Sequence, residues 1–471
     1  MLSRPVTSLV LPAKVSYRQM LTNSAILIFS LVFTMLLFMK MGGVVRLLYP
    51  VAAISLAGAL FFTNRAQYVA FVIWLFMITP FVRRVVDYQA GWIEANPVTL
   101  ASILAAAISL IVLIKKLPVL YRISYIPFIL ILIACLYGFF VGCILSGPVP
   151  AAYDLLLWIV PIAFGFGIAS DWKNFPDYRD AIFKTFLWGG AIMGAYGVYQ
   201  YFFLPAWDAA WMRSTTITSI GYPFPMRVRV FSTMNSPTAY GAITMPSLVI
   251  ILVTSGILRY LTAVCALGGF VLCIVRTAWL GWMISVAFLV FKLRGTRRAK
   301  LVFGLFAIAV ICLPVLTTGS IGEKFAERLS TFNDLEGDKS YVARSELYHT
   351  LTERALTNVW GTGTGAVGIA TKLNSATTTV TFNIDSGLLF VPYTLGWPGA
   401  ILILIGISAL MLRPPGIIDR ENESVVQAAT GICVAMIAMM ASYNSMYGVG
   451  GMVFWSFMGL RLCARQWSAT R

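Results

Sequence analysis

"SAILIFSLVFTMLLFM", residues 24–39, is an apolar run without one charged side chain. A helix rises 1.5 Å per residue, so about 20 residues of this kind cross a hydrocarbon core about 30 Å thick. Arg4, Lys14 and Arg18 precede the run, and no A-x-A cleavage site follows it. It reads as a retained first membrane helix rather than a signal peptide. Similar runs recur along the chain, with starts near residues 24, 44, 67, 97, 124, 151, 181, 237, 257, 277, 300, 384, 425 and 445. The fold expected is all-α, a polytopic membrane helix bundle of about fourteen transmembrane helices forming a single membrane domain over residues 1–471.

Composition agrees with that reading. Of 471 residues 59% are hydrophobic and 11% charged, against roughly 45 to 50% and 25% in soluble domains. The formal net charge of +17 would suggest nucleic acid in a soluble protein. Here the Lys and Arg lie in short loops between apolar runs, which is a membrane-orientation pattern, and no nucleic-acid partner is expected. Placing both termini in the cytoplasm puts 21 Lys and Arg inside and 14 outside, six of the latter in one long loop. The seven cysteines sit inside apolar runs without CxxC spacing. They read as small packing residues rather than disulfides or metal ligands.

Two connections exceed a turn, residues 205–236 and 318–382, and both fall on the outer side. The first carries Arg213, Arg227 and Arg229 beside Trp207, Trp211, Tyr222 and Phe224. In the second, Arg344, Tyr348, Leu351 and Ala355 share one stripe at helical spacing. The expectation is an outward-facing cap loop with a short amphipathic helix on the membrane domain. Long loops with aromatics and charge on one side suggest binding or chemistry there.

Arg229 lies where the first loop re-enters the membrane, and Arg276 in the turn "CIVRTAWLGW". Arginine near apolar surroundings is costly. Either it anchors at the interface or its planar fork holds phosphate oxygens. Asp385 opens a span in "FNIDSGLLFVPYTLGWPGA", where a carboxylate either caps the helix or serves as a general base. His349, the sole histidine, is a surface residue or an alternative base. Trp211 and its aromatic neighbours fit sugar stacking and an interfacial belt about equally. "GTGTGAVG" formally contains GxGxxG, but no βαβ unit surrounds it, so a dinucleotide site is rejected. Its glycines suit a tight re-entry, with an anion pocket of backbone amides as the alternative. "DLEGD", residues 334–338, is the nearest approach to an acidic metal pair and reads as a solvated linker, so neither metal nor cofactor is expected.

Together, "RVFSTMNSPTAYG", "VRTAWLGW", "RSELYHTLTERALTNVWGTGTG" and "IDSGLLFVPYTLGWPGA" resemble the O-antigen ligase and O-antigen or exopolysaccharide polymerase family. These are membrane glycosyltransferases acting on undecaprenyl-diphosphate-linked glycans at the bacterial inner membrane. The resemblance covers roughly residues 225–400. It implies that Arg229, Arg276 and Arg344 hold the donor diphosphate and that Asp385 activates the acceptor hydroxyl, in an inverting, metal-independent transfer. Arg227, Arg213, Tyr348 and Trp211 are the expected substrate-binding residues. The implied partners are the lipid-linked oligosaccharide donor, a glycan acceptor, membrane lipid and other polysaccharide assembly proteins. Ligases of the family carry His-Asn where this chain has Asp385 and Ser386, so the resemblance favours a polymerase over a ligase. An anion or glycolipid transporter is the rival from another class; it would favour midplane ionisable groups and two similar halves.

Overall fold

The first apolar run folds as part of α1 (Tyr17–Phe38), followed by α2 (Gly42–Thr63) and α3 (Arg65–Ala90). The computed structural model describes residues 17–119, 125–215, 218–317, 353, 357–373, 384–414 and 420–470. After α3 come α4 (Leu100–Ala107), α5 (Leu110–Lys116), α6 (Ile126–Leu145), α7 (Pro148–Ser170), α8 (Phe175–Phe203) and α9 (Ala206–Ser214). Next are α10 (Pro237–Val253), α11 (Ile257–Leu272), α12 (Arg276–Lys292), α13 (Gly295–Thr317), α14 (Gly387–Met411), α15 (Arg420–Met439) and α16 (Gly448–Ser468). Among the described residues the only β pairing is the isolated bridge between Gly221 and Val228.

Eight described helical segments are long and apolar enough to cross a membrane: 20–38, 42–63, 65–90, 97–116, 126–145, 148–170, 387–411 and 422–439. The remaining starts expected from the sequence fall on α8, α10 to α13 and α16. Of these, α10 and α11 are shorter apolar helices, and α16 carries Arg461 and Arg465 inside its length. The 97–116 span is broken between α4 and α5. There the Tyr68 hydroxyl bonds the carbonyls of Ala105 and Ala106 at 3.0 and 3.1 Å, satisfying backbone groups that lipid cannot.

Lipid tails are as apolar as leucine, so helices in a bilayer associate through close packing rather than a hydrophobic drive. α16 and α7 approach so closely that a Cβ on Gly459 would strike the Gly165 carbonyl, and one on Gly165 the carbonyl of Trp455, one turn before Gly459. Arg461 is buried in α16, where its guanidinium bonds the carbonyls of Leu410, Met411 and Arg413 at 2.8, 2.8 and 2.6 Å. It thereby serves the last turn of α14, whose carbonyls lack helical partners.

Polar contacts gather at two opposite ends. At one, Arg65 pairs with Asp171 at 3.6 Å, Arg179 with Asn422 at 2.6 Å and Arg297 with Glu423 at 3.2 Å. At the other, the end of α3 meets α9 and the loops around residues 92–96, 219–235 and 358–373. The candidate chemistry lies at this second, loop-bearing end.

Candidate functional site at the loop-bearing end

A small hairpin returns the chain from α9 towards α10. Tyr222 N–H bonds the Arg227 carbonyl at 3.0 Å, and Arg229 N–H bonds that of Ile220 at 2.8 Å. The Arg229 guanidinium then reaches across to the α11–α12 turn. Its Nη1 donates to Ser219 O at 3.0 Å, its Nη2 to Ile274 O at 2.8 Å and its Nε to Cys273 O at 3.4 Å. Val230 N–H adds a bond to Leu272 O at 3.2 Å. Arg276, half-buried, is the first residue of α12 and directly follows this turn. The fold therefore brings Arg229 and Arg276 to one turn, although 47 positions separate them in the sequence. The turn thus gathers two guanidinium groups, Arg229 tied to its carbonyls and Arg276 at the positive end of the α12 dipole.

The other residues singled out in the first loop are placed differently. Arg213 and Arg227 are exposed. Trp211 is buried, 5% exposed, beneath Trp92 at 5.1 Å between ring centroids, with the Arg83 guanidinium 5.1 Å from its own. Trp92 is the more open face of that stack. Trp211 is therefore a packing residue of this loop, which does not match its expected place on a substrate surface. The reason is that α9 turns its Asp208 and Trp211 side towards α3.

Beneath the hairpin lies a polar hub that sequence reading passed over. Arg84 and Asp208 form an ion pair at 2.9 Å with both side chains wholly buried. Arg84 also donates to the carbonyls of Ser232 and Met234. The other Asp208 oxygen accepts from Tyr196 at 2.7 Å and Gln200 at 2.6 Å, and Gln200 Oε1 receives the N–H groups of Phe231 and Ser232 at 3.0 and 2.8 Å. Each charge thus has its counter-ion inside the protein, and the remaining polar atoms of the pair bond the loop backbone and α8, while the facing Nε and Oδ1 meet as an ion pair without hydrogen-bond geometry. The hub fixes residues 231–234, two residues beyond Arg229. The signal was present in "FVRRVVDY": Arg pairs in an apolar run are functional or structural by default.

On the far side of this end, residues 359–365 re-enter the bundle beside α6 and α14. Gly361, Gly363 and Gly365 have φ of +80°, +76° and +86°, values that favour glycine. α14 is broken here, with Gly396 at φ 62° and ψ 178°, and Pro398 has no N–H to continue the helix. Loop backbone fills the break. Thr362 N–H and Gly363 N–H each bond, at 2.9 Å, the carbonyls of Tyr393 and Thr394, while Trp397 N–H bonds Val359 O at 2.9 Å. Thr364 N–H then reaches Gly138 O on α6 at 2.9 Å, and Gly365 N–H reaches Asp154 Oδ2 on α7 at 3.0 Å. With Gly361 N–H on Asn358 O at 3.2 Å, every amide from 361 to 365 is used within the protein. The re-entry read from the sequence holds, but the alternative of an anion pocket made by these amides does not. The second Asp154 oxygen accepts from the Tyr447 hydroxyl.

Asp385 is exposed and stands one residue outside the helix cap, which is Ser386. The start of α14 rests on the α15–α16 loop, with Leu388 N–H on Met440 O at 3.1 Å and Ser386 Oγ on the same carbonyl at 3.3 Å. Asp385 therefore lies outside the first turn, where the sequence placed it. Arg344, Tyr348, His349 and the expected amphipathic helix lie outside the described residues. Among those described, no cluster of three or more His, Cys, Asp or Glu is arranged to hold a metal.

Residues 261–404 match the sequence model of a family described as O-antigen ligase. That segment belongs to the O-antigen ligase family. It runs from α11 through α12, α13 and the re-entrant segment into α14, past its break. The O-antigen ligase segment includes Arg276, Arg344, Tyr348, His349 and Asp385, and leaves out Arg213, Trp211, Arg227 and Arg229. No curated protein matches the chain. The buried hub of Arg84 and Asp208 lies outside the O-antigen ligase segment, as does the Asp154–Tyr447 pair, which receives the Gly365 N–H from within that segment. The chain is a multi-pass membrane protein of glycan-processing type.

Proposed function

We propose that this protein is a membrane glycosyltransferase that polymerises undecaprenyl-diphosphate-linked oligosaccharide repeat units at the outer face of the bacterial inner membrane. The observation that carries the reading is the O-antigen ligase match over residues 261–404, supported by the fastening of Arg229 over the turn that leads into Arg276. In this reading the chain crosses the membrane fourteen times with both termini in the cytoplasm, and residues 205–236 and 318–382 lie outside.

The acceptor hydroxyl attacks the anomeric carbon of the donor sugar as the bond to the diphosphate oxygen breaks. The hydroxyl proton passes to Asp385, and the lipid diphosphate leaves with the electron pair, inverting the configuration. Arg229, Arg276 and Arg344 meet the negative charge that develops on the leaving group. Fixed cations in a site of lowered dielectric can do this without a metal ion. Arg213 and Arg227, exposed on the same loop, attract the acidic donor, Tyr348 contributes to binding on the cap loop, and His349 is the alternative base.

A second reading, transfer of the finished glycan to a lipid A-core or protein acceptor, is favoured by the match to a family of O-antigen ligases. The two separate in one experiment. Purified protein in vesicles is given lipid-linked repeat units alone, or with a lipid A-core acceptor. A ladder of longer lipid-linked products without added acceptor supports the polymerase. Product only with the acceptor supports the ligase. Movement of the lipid-linked glycan across the bilayer with no new glycosidic bond would replace both with a transporter.

A further inference from the structure

Along one flank of the bundle, α1, α3 and α8 leave an open groove of about 380 Å³. The three helices run in one direction. Arg65 and Tyr68 near the start of α3 lie by Tyr178 near the start of α8, and Met77 further on lies against Gly189. The groove is graded accordingly. Asn23 and Gln67 line the end nearer the helix starts, Lys184 follows at about the level of Phe71, and Trp74 and Trp188 continue the groove beyond it.

Lys184 is exposed on this flank, and no acidic side chain lines the groove. The acids nearest in sequence do not answer its charge. Asp180, one turn earlier on α8, is taken by Arg179 at 2.8 Å, and Asp171 is taken by Arg65 at 3.6 Å. Asp177 stands in the first turn of α8, where the helix dipole favours it. On the facing helices, the sequence of α1 holds no acid, and the start of α3 carries Arg65. A cation beside an apolar groove, against the membrane-length helices α1 and α3, calls for an anionic group attached to hydrocarbon.

We propose that this groove binds an anionic phospholipid. Its phosphate sits on Lys184, the side-chain amides of Asn23 and Gln67 donate hydrogen bonds to the headgroup, and one acyl chain lies along Phe71, Trp74 and Trp188. The site is independent of the transferase reading, because it lies at the opposite end of these helices from the candidate arginines.

Native mass spectrometry of the detergent-purified full chain, mixed with equimolar dioleoylphosphatidylglycerol and dioleoylphosphatidylcholine, tests it. The expected result is a preference of about fivefold for the glycerol lipid, the size of effect one basic residue exerts at a membrane surface. Lys184→Gln removes the preference and Lys184→Arg keeps it. Asn23→Ala with Gln67→Ala, which leaves α8 unchanged, weakens it, and Ala181→Trp, which fills the groove, lowers retention of both lipids. Excess inorganic phosphate leaves the adduct in place, because the chain and the headgroup bind together. Equal retention by the unmodified protein, an undiminished preference in Lys184→Gln, or displacement by phosphate would each overturn the proposal.

Discussion

Replacing Gly142 by alanine tests the re-entrant segment from the side of the helix that receives it. Gly142 lies in α6 with ordinary helical dihedrals, so the substitution carries no backbone penalty and should gain about 1 kcal/mol of helix propensity. Against that, a Cβ on Gly142 would fall on the carbonyl oxygen, amide nitrogen and hydroxyl of Thr364. Two of these are backbone atoms of a segment hydrogen-bonded on both sides, so the segment must move. Overpacking of this kind costs about 1 to 3 kcal/mol. Gly58 in α2 is the matched control, since its nearest foreign atom would be a side-chain carbon at 4.0 Å. Gly58→Ala should keep the propensity gain, leaving Gly142→Ala less stable by about 1 to 3 kcal/mol. The measurement is reversible unfolding of the detergent-solubilised protein with tryptophan fluorescence. Should Gly142→Ala unfold with or after Gly58→Ala, residues 361–365 do not pack against α6, and the account of the broken α14 fails with them.

Asp208→Asn should destabilise the protein by about 3 to 5 kcal/mol because Arg84 would remain charged and buried, while Arg84→Met combined with Asp208→Leu should unfold nearer the unmodified protein; the same unfolding measurement decides. Arg229→Lys should lower polymer formation even though charge is kept, since one ammonium cannot hold the Ser219 and Ile274 carbonyls and a phosphate in fork geometry; normal product at normal protein level would leave Arg229 a structural tie. Asp385→Asn should fold normally, because the helix cap is Ser386, yet reduce the transfer rate about 10² to 10⁴-fold with lipid-linked substrate accumulating; near-normal turnover would move the base elsewhere, with His349 the next residue to test. A phosphatase reporter fused after Arg298 should be inactive, and its activity would place every candidate residue on the wrong side of the membrane.

The helices were legible because charge-free runs of membrane length have few other readings, and expected starts such as 24, 237 and 257 fall inside or at the start of observed helices. Spans with charge inside them are harder. Arg461 in α16 reads as a break in hydropathy until its role on the α14 carbonyls is known. The juxtaposition of Arg229 with Arg276 was partly legible, since each stood at a loop end, but the hydrogen bonds to Cys273 and Ile274 depend on the path of the hairpin. Trp211 misled because aromatic identity does not say which face of a short helix turns inward. The Arg84–Asp208 pair escaped because partners more than a hundred residues apart leave no spacing signal. In "GTGTG" the glycines announced unusual backbone, while the partners of four of the five amides came from three different helices.

The break in α14 also bears on how the chain is inserted during synthesis. Tyr393 and Thr394 expose carbonyls, and Trp397 an N–H, at a depth where lipid offers no substitute. Their partners, Val359, Thr362 and Gly363, precede them in the chain, so they emerge from the ribosome first. Translation order thus delivers the segment that seals the gap before the gapped helix reaches the bilayer, and α6 and α7, which anchor Thr364 and Gly365, earlier still. α14 therefore enters the membrane as the second half of a prepared pair, and a truncation that removes residues 359–365 would leave the insertion machinery a helix it has reason to reject.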